Sequence, residues 1–324
     1  MASGIVVAIA VLVAVEGLLR IAGYSREIAP VALRFGYPSP REIADLFRPD
    51  PRLFWRLKPG SVFDAEAPVP INANGYRGAL PRSPRPAGLL RVAVAGDSVA
   101  FGAASCWPEI LGARLGARAE VLNFGVPGYS IVQGLRQLAD EIAPLRPDVV
   151  VIAYGWNDHW LARAGIPDAE LRPPGPRRAA IALALSRLRL AQALRAVLVR
   201  PHPPRGDVRR VPLPDYRTLV ERFASEVKAA GARPIVVGLP SALTVEDTPE
   251  YLVRDRFTPG ASEAVADHAR YLEAAREAAV AAGAEFVDAA AAMGGDPRLF
   301  TRDRIHLSAE GHEALADLVA AEIP

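Results

Sequence analysis

Residues 90 to 99 read Leu-Arg-Val-Ala-Val-Ala-Gly-Asp-Ser-Val, a short and mainly apolar run that ends in Gly96, Asp97 and Ser98. An apolar run of this length without polar alternation is typical of a strand buried on both faces of a parallel sheet. Gly-Asp-Ser then fits a tight turn that opens a helix, with the serine exposed beside helix-terminal N–H groups. Gly-Asp-Ser is also an ordinary turn sequence, and Ser98 alone would suit a helix cap.

Four further apolar runs follow, separated by segments with helical patterning. The predicted strands are residues 91–95, 120–123, 148–154, 233–239 and 284–288, and the predicted helices are residues 107–117, 131–143, 215–231, 262–282 and 308–322. Strands that alternate with helices predict a parallel sheet covered by helices on both faces. We therefore expect an α/β fold with a five-stranded parallel sheet over residues 90–324.

Polar residues follow two more of these strands and precede the last helix. Asn123 to Gly128 come after the second strand, Gly155-Trp156-Asn157-Asp158 come after the third, and Asp303-Arg-Ile-His306 precede the final helix. The carboxyl ends of parallel strands meet at one rim of a sheet, so these groups are expected near Ser98. Each block alone is a weak signal, because glycine and asparagine fit ordinary turns and a lone histidine is more often a surface or core residue. Their joint occurrence in this order favours a functional site.

These blocks resemble those of the SGNH hydrolases, also called GDSL-type lipases and esterases. The matching blocks are Gly96-Asp97-Ser98-Val99, Asn123 to Gly128, Gly155-x-Asn157-Asp158 and Asp303-x-x-His306. Val99 stands where the name-giving leucine would be, a variation that removes no reactive group. The resemblance covers residue 90 to the C terminus apart from an insert after Asp158, and it implies a flavodoxin-like three-layer α/β/α sandwich.

The resemblance also implies catalytic roles. Ser98 would be the nucleophile, His306 its general base and Asp303 the residue that orients the imidazole. The N–H groups of Ser98 and Gly128 and the side-chain amide of Asn157 would bind the oxyanion. Such a site cleaves esters through an acyl-enzyme without a metal or an organic cofactor. Because the histidine must be neutral, activity is expected to rise with pH near the ordinary histidine pKa of about 6.5.

The N terminus carries an apolar run over residues 4–22 in which Glu16 is the first charged residue and Arg20 follows four positions later. About 20 apolar residues span a bilayer, so residues 1–24 are predicted to be a transmembrane anchor with Arg20 reaching the interface. A signal peptide, a buried helix and a functional intramembrane acid at Glu16 are the alternatives. A glutamate and an arginine four residues apart on one helix favour an interfacial ion pair for Glu16.

Charge and resemblance place the domain on different sides of the membrane. Arg20, Arg26 and Arg34 lie at or beyond the end of the apolar run, so the positive-inside rule puts the rest of the chain in the cytoplasm. The anchor followed by Asn72-Ala-Asn-Gly-Tyr-Arg-Gly is instead similar to a bacterial membrane-anchored subgroup of the SGNH hydrolases. That similarity implies an extracytoplasmic domain, which is the expectation adopted.

Two segments lie outside the predicted catalytic pattern. Residues 25–89 are proline-rich and are interpreted as an extension that tethers and packs. Residues 159–214 form an insert that is too long for a simple connection, and its part over residues 179–199 predicts one amphipathic helix. This helix would be a lid, a helix that lies on the membrane or an extra packed helix. Its three arginines disfavour a second transmembrane span.

Composition excludes several classes of protein. The 324 residues are 51% hydrophobic and 23% charged with a formal net charge of +2, which argues against disorder and against a nucleic-acid-binding surface. The single cysteine, Cys106, allows no intramolecular disulfide and no cysteine-based metal site, and it is expected to be a buried apolar residue. The other histidines lack a paired ligand pattern, so solvated or capping roles are expected for His159, His202, His268 and His312.

Several residues close to these motifs are predicted to have structural or substrate-binding roles. Trp107 is expected in the core, and Trp156 is a candidate for a substrate pocket with core packing as the alternative. Asp97 and Asp158 are interpreted as turn and hydrogen-bonding supports. Arg77 is interpreted as part of a structural ion pair rather than as a group that binds an anionic substrate.

The sequence therefore predicts a membrane-anchored serine ester hydrolase that acts on O-acyl groups of cell-envelope glycans or lipids. An O-acyltransferase would use the same three residues, with a sugar hydroxyl in place of water in the second step. A catalytically silent binding or assembly protein with the same fold is a third hypothesis. The intact set of site residues counts against a silent protein.

Overall fold

The structure is a computed structural model that describes residues 2–26, 45–63, 68–162, 165–198 and 206–323. Its first element is helix α1 (Ala2–Ile21). Two small antiparallel hairpins follow, β1 (Phe47–Asp50) with β2 (Phe54–Leu57) and β3 (Val62–Phe63) with β4 (Val69–Pro70). His202 lies outside the described residues, and its expected role stays a prediction.

A five-stranded parallel sheet forms the centre of the fold. Its strands are β5 (Leu90–Gly96), β6 (Ala119–Asn123), β7 (Val149–Ala153), β8 (Arg233–Val237) and β9 (Glu285–Val287), in the spatial order β6-β5-β7-β8-β9. All neighbouring pairs are parallel. The chain moves from β5 outward to β6 and returns past β5 to β7, which is the flavodoxin-like order. The predicted fold class and its five strands are confirmed, and the reversal leaves a crevice at the carboxyl end of β5.

Helices cover both faces of the sheet, and others lie beside it. The described helices after α1 are α2 (Ser98–Phe101), α3 (Trp107–Leu115), α4 (Ile131–Gln137), α5 (Pro176–Ser186), α6 (Arg189–Leu198), α7 (Leu213–Ala229), α8 (Glu250–Arg254), α9 (Ala261–Ala282), α10 (Ala289–Met293) and α11 (Ala309–Ala321). The five predicted helices correspond to α3, α4, α7, α9 and α11. Helix α4 continues as a π-helical turn over Leu138–Ile142, which accounts for its greater predicted length.

Two apolar cores lie on opposite faces of the sheet. Ala93 and Ala95 of β5 belong to the first core and Val92 and Val94 to the second, because successive side chains of a strand point to opposite faces. Helices α4, α7 and α9 contribute to the first core, and α3 and α11 contribute to the second. Burial on both faces is the reason that the strands are continuous apolar runs.

The extension between α1 and the sheet packs into the first core. Phe47, Phe54 and Trp55 are fully buried there. The indole Nε1 of Trp55 donates to the carbonyl oxygen of Pro127 at 3.2 Å, and the Tyr129 hydroxyl donates to the Trp55 carbonyl oxygen at 2.5 Å. The extension is thereby fastened to the loop that follows β6.

The insert differs from the prediction of one helix over residues 179–199. It contains two helices, α5 and α6, with a break at residues 187–188. Glu16 of α1 provides a physical reason, because its carboxylate accepts the N–H groups of Arg189 and Leu190 at 3.1 and 2.8 Å. A carboxylate bound to the free N–H groups of a first turn stabilises a helix start, so a new helix begins at this point.

We predict that Trp55→Ala lowers the free energy of unfolding by about 3 to 5 kcal/mol, since it leaves a large cavity and removes the hydrogen bond to Pro127. The control is Val280→Ala on the exposed face of α9, where the side chain is 72% exposed and the change should stay within about 0.5 kcal/mol. Urea unfolding of the chain without residues 1–24, followed by circular dichroism, measures both values. Equal values for the two variants would contradict a packing role for the extension.

Candidate active site

Ser98 lies at the carboxyl end of β5, on the turn into α2. The carboxylate of Asp97 accepts the N–H of Val99 at 2.9 Å and caps this short helix. Gly96 is required by close packing, because a Cβ at this position would lie 2.6 Å from the Ala100 Cβ. The Gly-Asp-Ser sequence therefore lets strand and helix approach closely enough to hold the serine at the rim of the sheet.

Ser98, His306 and Asp303 form a continuous chain of hydrogen bonds. His306 Nε2 lies 2.9 Å from Ser98 Oγ, and His306 Nδ1 lies 2.5 Å from Asp303 Oδ2. Asp303 Oδ1 accepts the N–H groups of Ile305 and His306 at 2.9 and 2.8 Å. These backbone bonds fix the carboxylate, and the carboxylate in turn orients the imidazole toward the serine.

Asp303 and His306 each shift the pKa of the other in favour of the charged form. Burial by itself lowers the pKa of His306, but the hydrogen bond and charge of Asp303 outweigh burial and hold that pKa above its ordinary value. Burial by itself raises the pKa of Asp303, but the hydrogen bond and charge of His306, with two backbone N–H groups, hold it well below its ordinary value. Asp303 is therefore ionised, and His306 is a stronger base than a free histidine.

Asn157 and Gly128 place further hydrogen-bonding groups in the loops around the serine. The Asn157 Nδ2 donates to Asp97 Oδ2 at 3.0 Å, so the residue before Ser98 orients this amide. Gly128 has a φ of 82°, in the left-handed region that favours glycine. Within the described residues, neither the N–H of Ser98 nor that of Gly128 donates a hydrogen bond to the protein.

A buried ion pair in the insert holds the Gly128 loop. Arg210 Nη1 donates to the Gly128 carbonyl oxygen at 2.8 Å, and Arg210 Nη2 lies 2.7 Å from Asp168 Oδ2. Both charged residues are almost fully buried, at 4% and 1% exposure. Ser130 Oγ donates to the same Asp168 oxygen at 2.8 Å. No sequence pattern predicts this pair, because two charged residues 42 positions apart in an insert have no recognisable spacing.

An apolar cavity of about 280 Å³ lies beside Ser98. Its lining consists of Phe63, Ser98, Val99, Phe101, Gly102, Ala103, Pro127, Thr301, His306, Leu307 and His312. Phe63 comes from the β3–β4 hairpin, and its ring packs edge-on against Phe101 with centroids 4.9 Å apart. The extension therefore forms part of the cavity wall, which its weak sequence pattern did not indicate.

Trp156 is not among the residues that line this cavity. It is 1% exposed, belongs to the second core and stacks on His268 with ring centroids 4.0 Å apart. The turn after β7 directs its ring into the core, whereas Asn157 contacts Asp97. Core packing therefore replaces the expected pocket role of Trp156. Trp107 is fully buried in the same core, as predicted.

Three other histidines are packed inside the protein, contrary to the expectation of solvated positions. His159 and His312 are buried, and His268 is half-buried against Trp156. Burial lowers the pKa of His268 and of His312 to about 4, so both are neutral at physiological pH. His312 has the alternative, capping role, because its Nδ1 accepts the N–H of Trp107 at the start of α3 at 3.3 Å.

Arg77 and Cys106 have the structural roles that were predicted. Arg77 Nε lies 2.7 Å from Glu109 Oε1, and its Nη1 donates to the carbonyl oxygens of Phe101 and Ala103 at 3.1 and 2.6 Å. These bonds brace the loop that follows α2. Cys106 is buried, and burial raises the pKa of its thiol to about 12, so it is not a thiolate nucleophile.

Asp158 is a fully buried carboxyl group next to Asn157. Its Oδ1 accepts the N–H of Ile131 at 2.8 Å, whereas its Oδ2 has no hydrogen-bond partner in the described part of the chain. Burial raises the pKa of Asp158 to about 7, and burial likewise raises the pKa of Asp97 to about 6. The hydrogen-bonding roles expected for both residues are present, and each carboxyl group holds its proton to a higher pH than usual.

We predict that the wild-type protein loses stability relative to Asp158→Asn as the pH rises from about 4 to about 7. In this window the unfolded chain has released the proton and the native state retains it, so each pH unit costs the wild type up to about 1.4 kcal/mol. Asparagine keeps the Oδ1 acceptor and does not ionise. Urea unfolding of both proteins at several pH values measures the difference, and a difference that is independent of pH would contradict a buried, protonated Asp158.

One protein-family model matches this chain. The model of the GDSL-like Lipase/Acylhydrolase family matches residues 94–314. No match was found among the curated proteins. Similar solved structures include a lipase/acylhydrolase from Enterococcus faecalis (19% identity, TM-score 0.48, covering 72% of this chain and 95% of that one). An acetyl xylan esterase from Geobacillus stearothermophilus (18% identity, TM-score 0.46) and a GDSL-like lipase from Bacteroides thetaiotaomicron (18%, 0.45) each cover 72% of this chain, with 94% and 87% of their own chains matched.

The family match extends over most of the sheet and its helices. It begins within β5, ends within α11 and contains Ser98, Asn157, Asp303 and His306. Because it spans well over half of the chain, the protein belongs to the GDSL-like lipase/acylhydrolase family and is a hydrolase of ester bonds.

Proposed function

We propose that this hydrolase is a serine esterase that works through an acyl-enzyme. The observation that carries the proposal is the chain of hydrogen bonds from Asp303 through His306 to Ser98. It gives the hydroxyl a base within hydrogen-bond distance and gives that base an orienting carboxylate. The position of Ser98 at the wall of an apolar cavity supports access to a substrate.

In the first step, Ser98 Oγ attacks the carbonyl carbon of the ester while His306 Nε2 takes the hydroxyl proton. The N–H groups of Ser98 and Gly128 and the Asn157 amide receive the negative charge that develops on the carbonyl oxygen. When the tetrahedral intermediate collapses, the bond to the alcohol oxygen breaks. His306 then delivers its proton to the leaving alcohol, and the acyl group stays on the serine.

In the second step, water attacks the acyl-serine carbonyl and His306 takes a proton from that water. Collapse of this intermediate breaks the bond to the serine oxygen, and the proton returns to Ser98 Oγ as the carboxylic acid leaves. The histidine is a cation in both intermediates. The ionised carboxylate of Asp303 stabilises that cation and keeps the imidazole in the tautomer that faces the serine.

The proposed substrates are O-acyl groups on cell-envelope glycans or lipids. Phe63, Phe101 and Leu307 make the cavity beside the serine suitable for an apolar acyl group. One described helix, Ser3–Ile21, is long and apolar enough to cross a membrane, with a mean hydropathy of 2.4. Used as a single-pass anchor, it would hold the catalytic domain next to the envelope, and the proposal places that domain on the extracytoplasmic side.

An O-acyltransferase remains the alternative, since a sugar hydroxyl can open the same acyl-enzyme in place of water. Product analysis separates the two activities, because a hydrolase releases the free acid and a transferase forms a new ester with an added acceptor alcohol. A silent binding protein with this fold would form no acyl-enzyme with either acceptor.

We predict that Ser98→Ala abolishes hydrolysis of p-nitrophenyl esters and that Asn157→Ala lowers kcat about 10²- to 10³-fold, the usual cost of losing one oxyanion donor. Asn74→Ala, at an exposed loop position, is the matched control and should retain wild-type activity. The assay uses short and long acyl esters, and circular dichroism checks that each variant is folded. A folded Ser98→Ala protein that keeps its activity would refute the nucleophile assignment.

We predict that kcat/KM rises with pH through an ionisation above the ordinary histidine value of 6.5, because the neutral form of His306 is active and its pKa is raised. The midpoint of the pH profile is therefore expected above the value of about 6.5 that the sequence alone predicts. In Asp303→Asn, the hydrogen-bonding and charge contributions of the carboxylate are lost while burial remains, so the midpoint should fall. The rate should also drop, by about 10³- to 10⁴-fold. If the wild type and Asp303→Asn have the same midpoint, Asp303 does not raise the pKa of His306.

A further inference from the structure

Helices α5 and α6 of the insert connect the apolar helix α1 to the catalytic fold. Helix α5 lies against β1, and Ala179 on its inner face is 1% exposed within the first core. Helix α6 lies against α1. The two insert helices therefore lie where the apolar helix meets the catalytic domain.

Polar contacts fix this arrangement at the C-terminal end of α1. The carboxylate of Glu16 accepts the N–H groups of Arg189 and Leu190 and also binds Arg20 Nε at 2.7 Å. Arg20 Nη2 in turn donates to the carbonyl oxygen of Arg187 at 3.4 Å. The expected ion pair between Glu16 and Arg20 is present, and it additionally holds the start of α6 at the end of the apolar helix.

The outer faces of α5 and α6 are apolar and exposed. Ile181 and Leu185 lie four residues apart on α5 and are 60% and 45% exposed, and Leu188, in the break between the two helices, is 39% exposed. On α6, Leu194, Val197 and Leu198 have the same spacing of three to four residues and are 52%, 81% and 76% exposed. Large exposed apolar patches on a protein surface mark sites of contact with another protein or a membrane. We call these six residues the apolar stripe.

The positive charge of α5 and α6 favours a lipid surface as the partner. Residues 176–198 contain the five arginines Arg177, Arg178, Arg187, Arg189 and Arg195 and no acidic residue. An apolar stripe accompanied by arginines is the composition of helices that lie in the membrane interface, where arginines reach the phosphate groups of lipids. Helix α1, which α6 contacts, also exposes apolar residues near its C-terminal end, with Leu18 and Ile21 at 65% and 86% exposure.

We propose that α5 and α6 form an interfacial surface that lies in the headgroup region of the bilayer crossed by α1, with the apolar stripe facing the acyl chains. This inference rests on the proposed membrane anchor and extends it from a tether to a fixed docking. Because α5 is also part of the first core, docking would hold the catalytic domain close to the lipid surface instead of at the end of a free linker.

The test places single reporters in the full-length chain reconstituted in lipid nanodiscs, one chain per disc. The environment-sensitive fluorophore NBD is attached to Leu185→Cys and Val197→Cys on the stripe, to Leu12→Cys within α1 and to Val280→Cys at an exposed position of α9. The native Cys106 is buried and the pKa of its thiol is raised, so it should react little with the NBD reagent. Its residual labelling is measured on the wild-type protein. Quenching by aqueous iodide is compared with quenching by lipids that carry a doxyl group near the acyl-chain carbonyl.

We expect emission at positions 185 and 197 to shift to shorter wavelength, to lose most of its intensity with the doxyl lipids and to resist iodide. The reporter at 280 should show the opposite response, and the reporter at 12 should resist iodide. Iodide quenching at 185 and 197 equal to that at 280 would overturn the proposal while leaving the anchor intact. Protection from iodide without doxyl quenching would mean that protein covers the stripe, which also overturns it. Iodide quenching of the reporter at 12 would contradict both the membrane anchor and the docking of α5 and α6. None of these measurements depends on ester hydrolysis.

Discussion

The hydrogen bond between His306 Nε2 and Ser98 Oγ joins residues 208 positions apart, and it forms only because the chain segments after β5 and before α11 reach the same rim of the sheet. Parallel strands buried on both faces end at that rim, so the packing of the two cores determines where the serine lies. The orientation of the imidazole is set locally, because Asp303 is held by two backbone N–H groups of its own turn.

Segments outside the sheet complete the candidate site. The Arg210–Asp168 pair of the insert holds the Gly128 carbonyl oxygen, and the extension holds the same loop through the hydrogen bonds of Trp55 with Pro127 and Tyr129. A buried ion pair is costly when either partner is lost, so the position of this loop depends on the folding of the insert. The extension and the insert are therefore structural parts of the catalytic fold as well as links to the apolar helix.

Sequence patterns predicted the sheet, its helices and the positions of Ser98 and His306, because burial on two faces and strand-end motifs are local signals. They did not predict Phe63 in the cavity wall or Arg210 behind Gly128, since both contacts arise from pairings of distant segments. Trp156 illustrates the same limit. Its position beside Asn157 suggested a pocket residue, yet the direction of its ring depends on the packing of the second core, which adjacent sequence does not encode.

The most direct measurement is fluorophosphonate labelling of the full-length chain, with the modified residue located by mass spectrometry of peptides. An activated serine forms a covalent phosphonate with this reagent, whereas ordinary serines do not react at a comparable rate. We expect a single modified residue, Ser98, and loss of labelling in His306→Ala. Labelling at another residue, or undiminished labelling of Ser98 in His306→Ala, would contradict the claim that the hydrogen-bonded chain activates this serine.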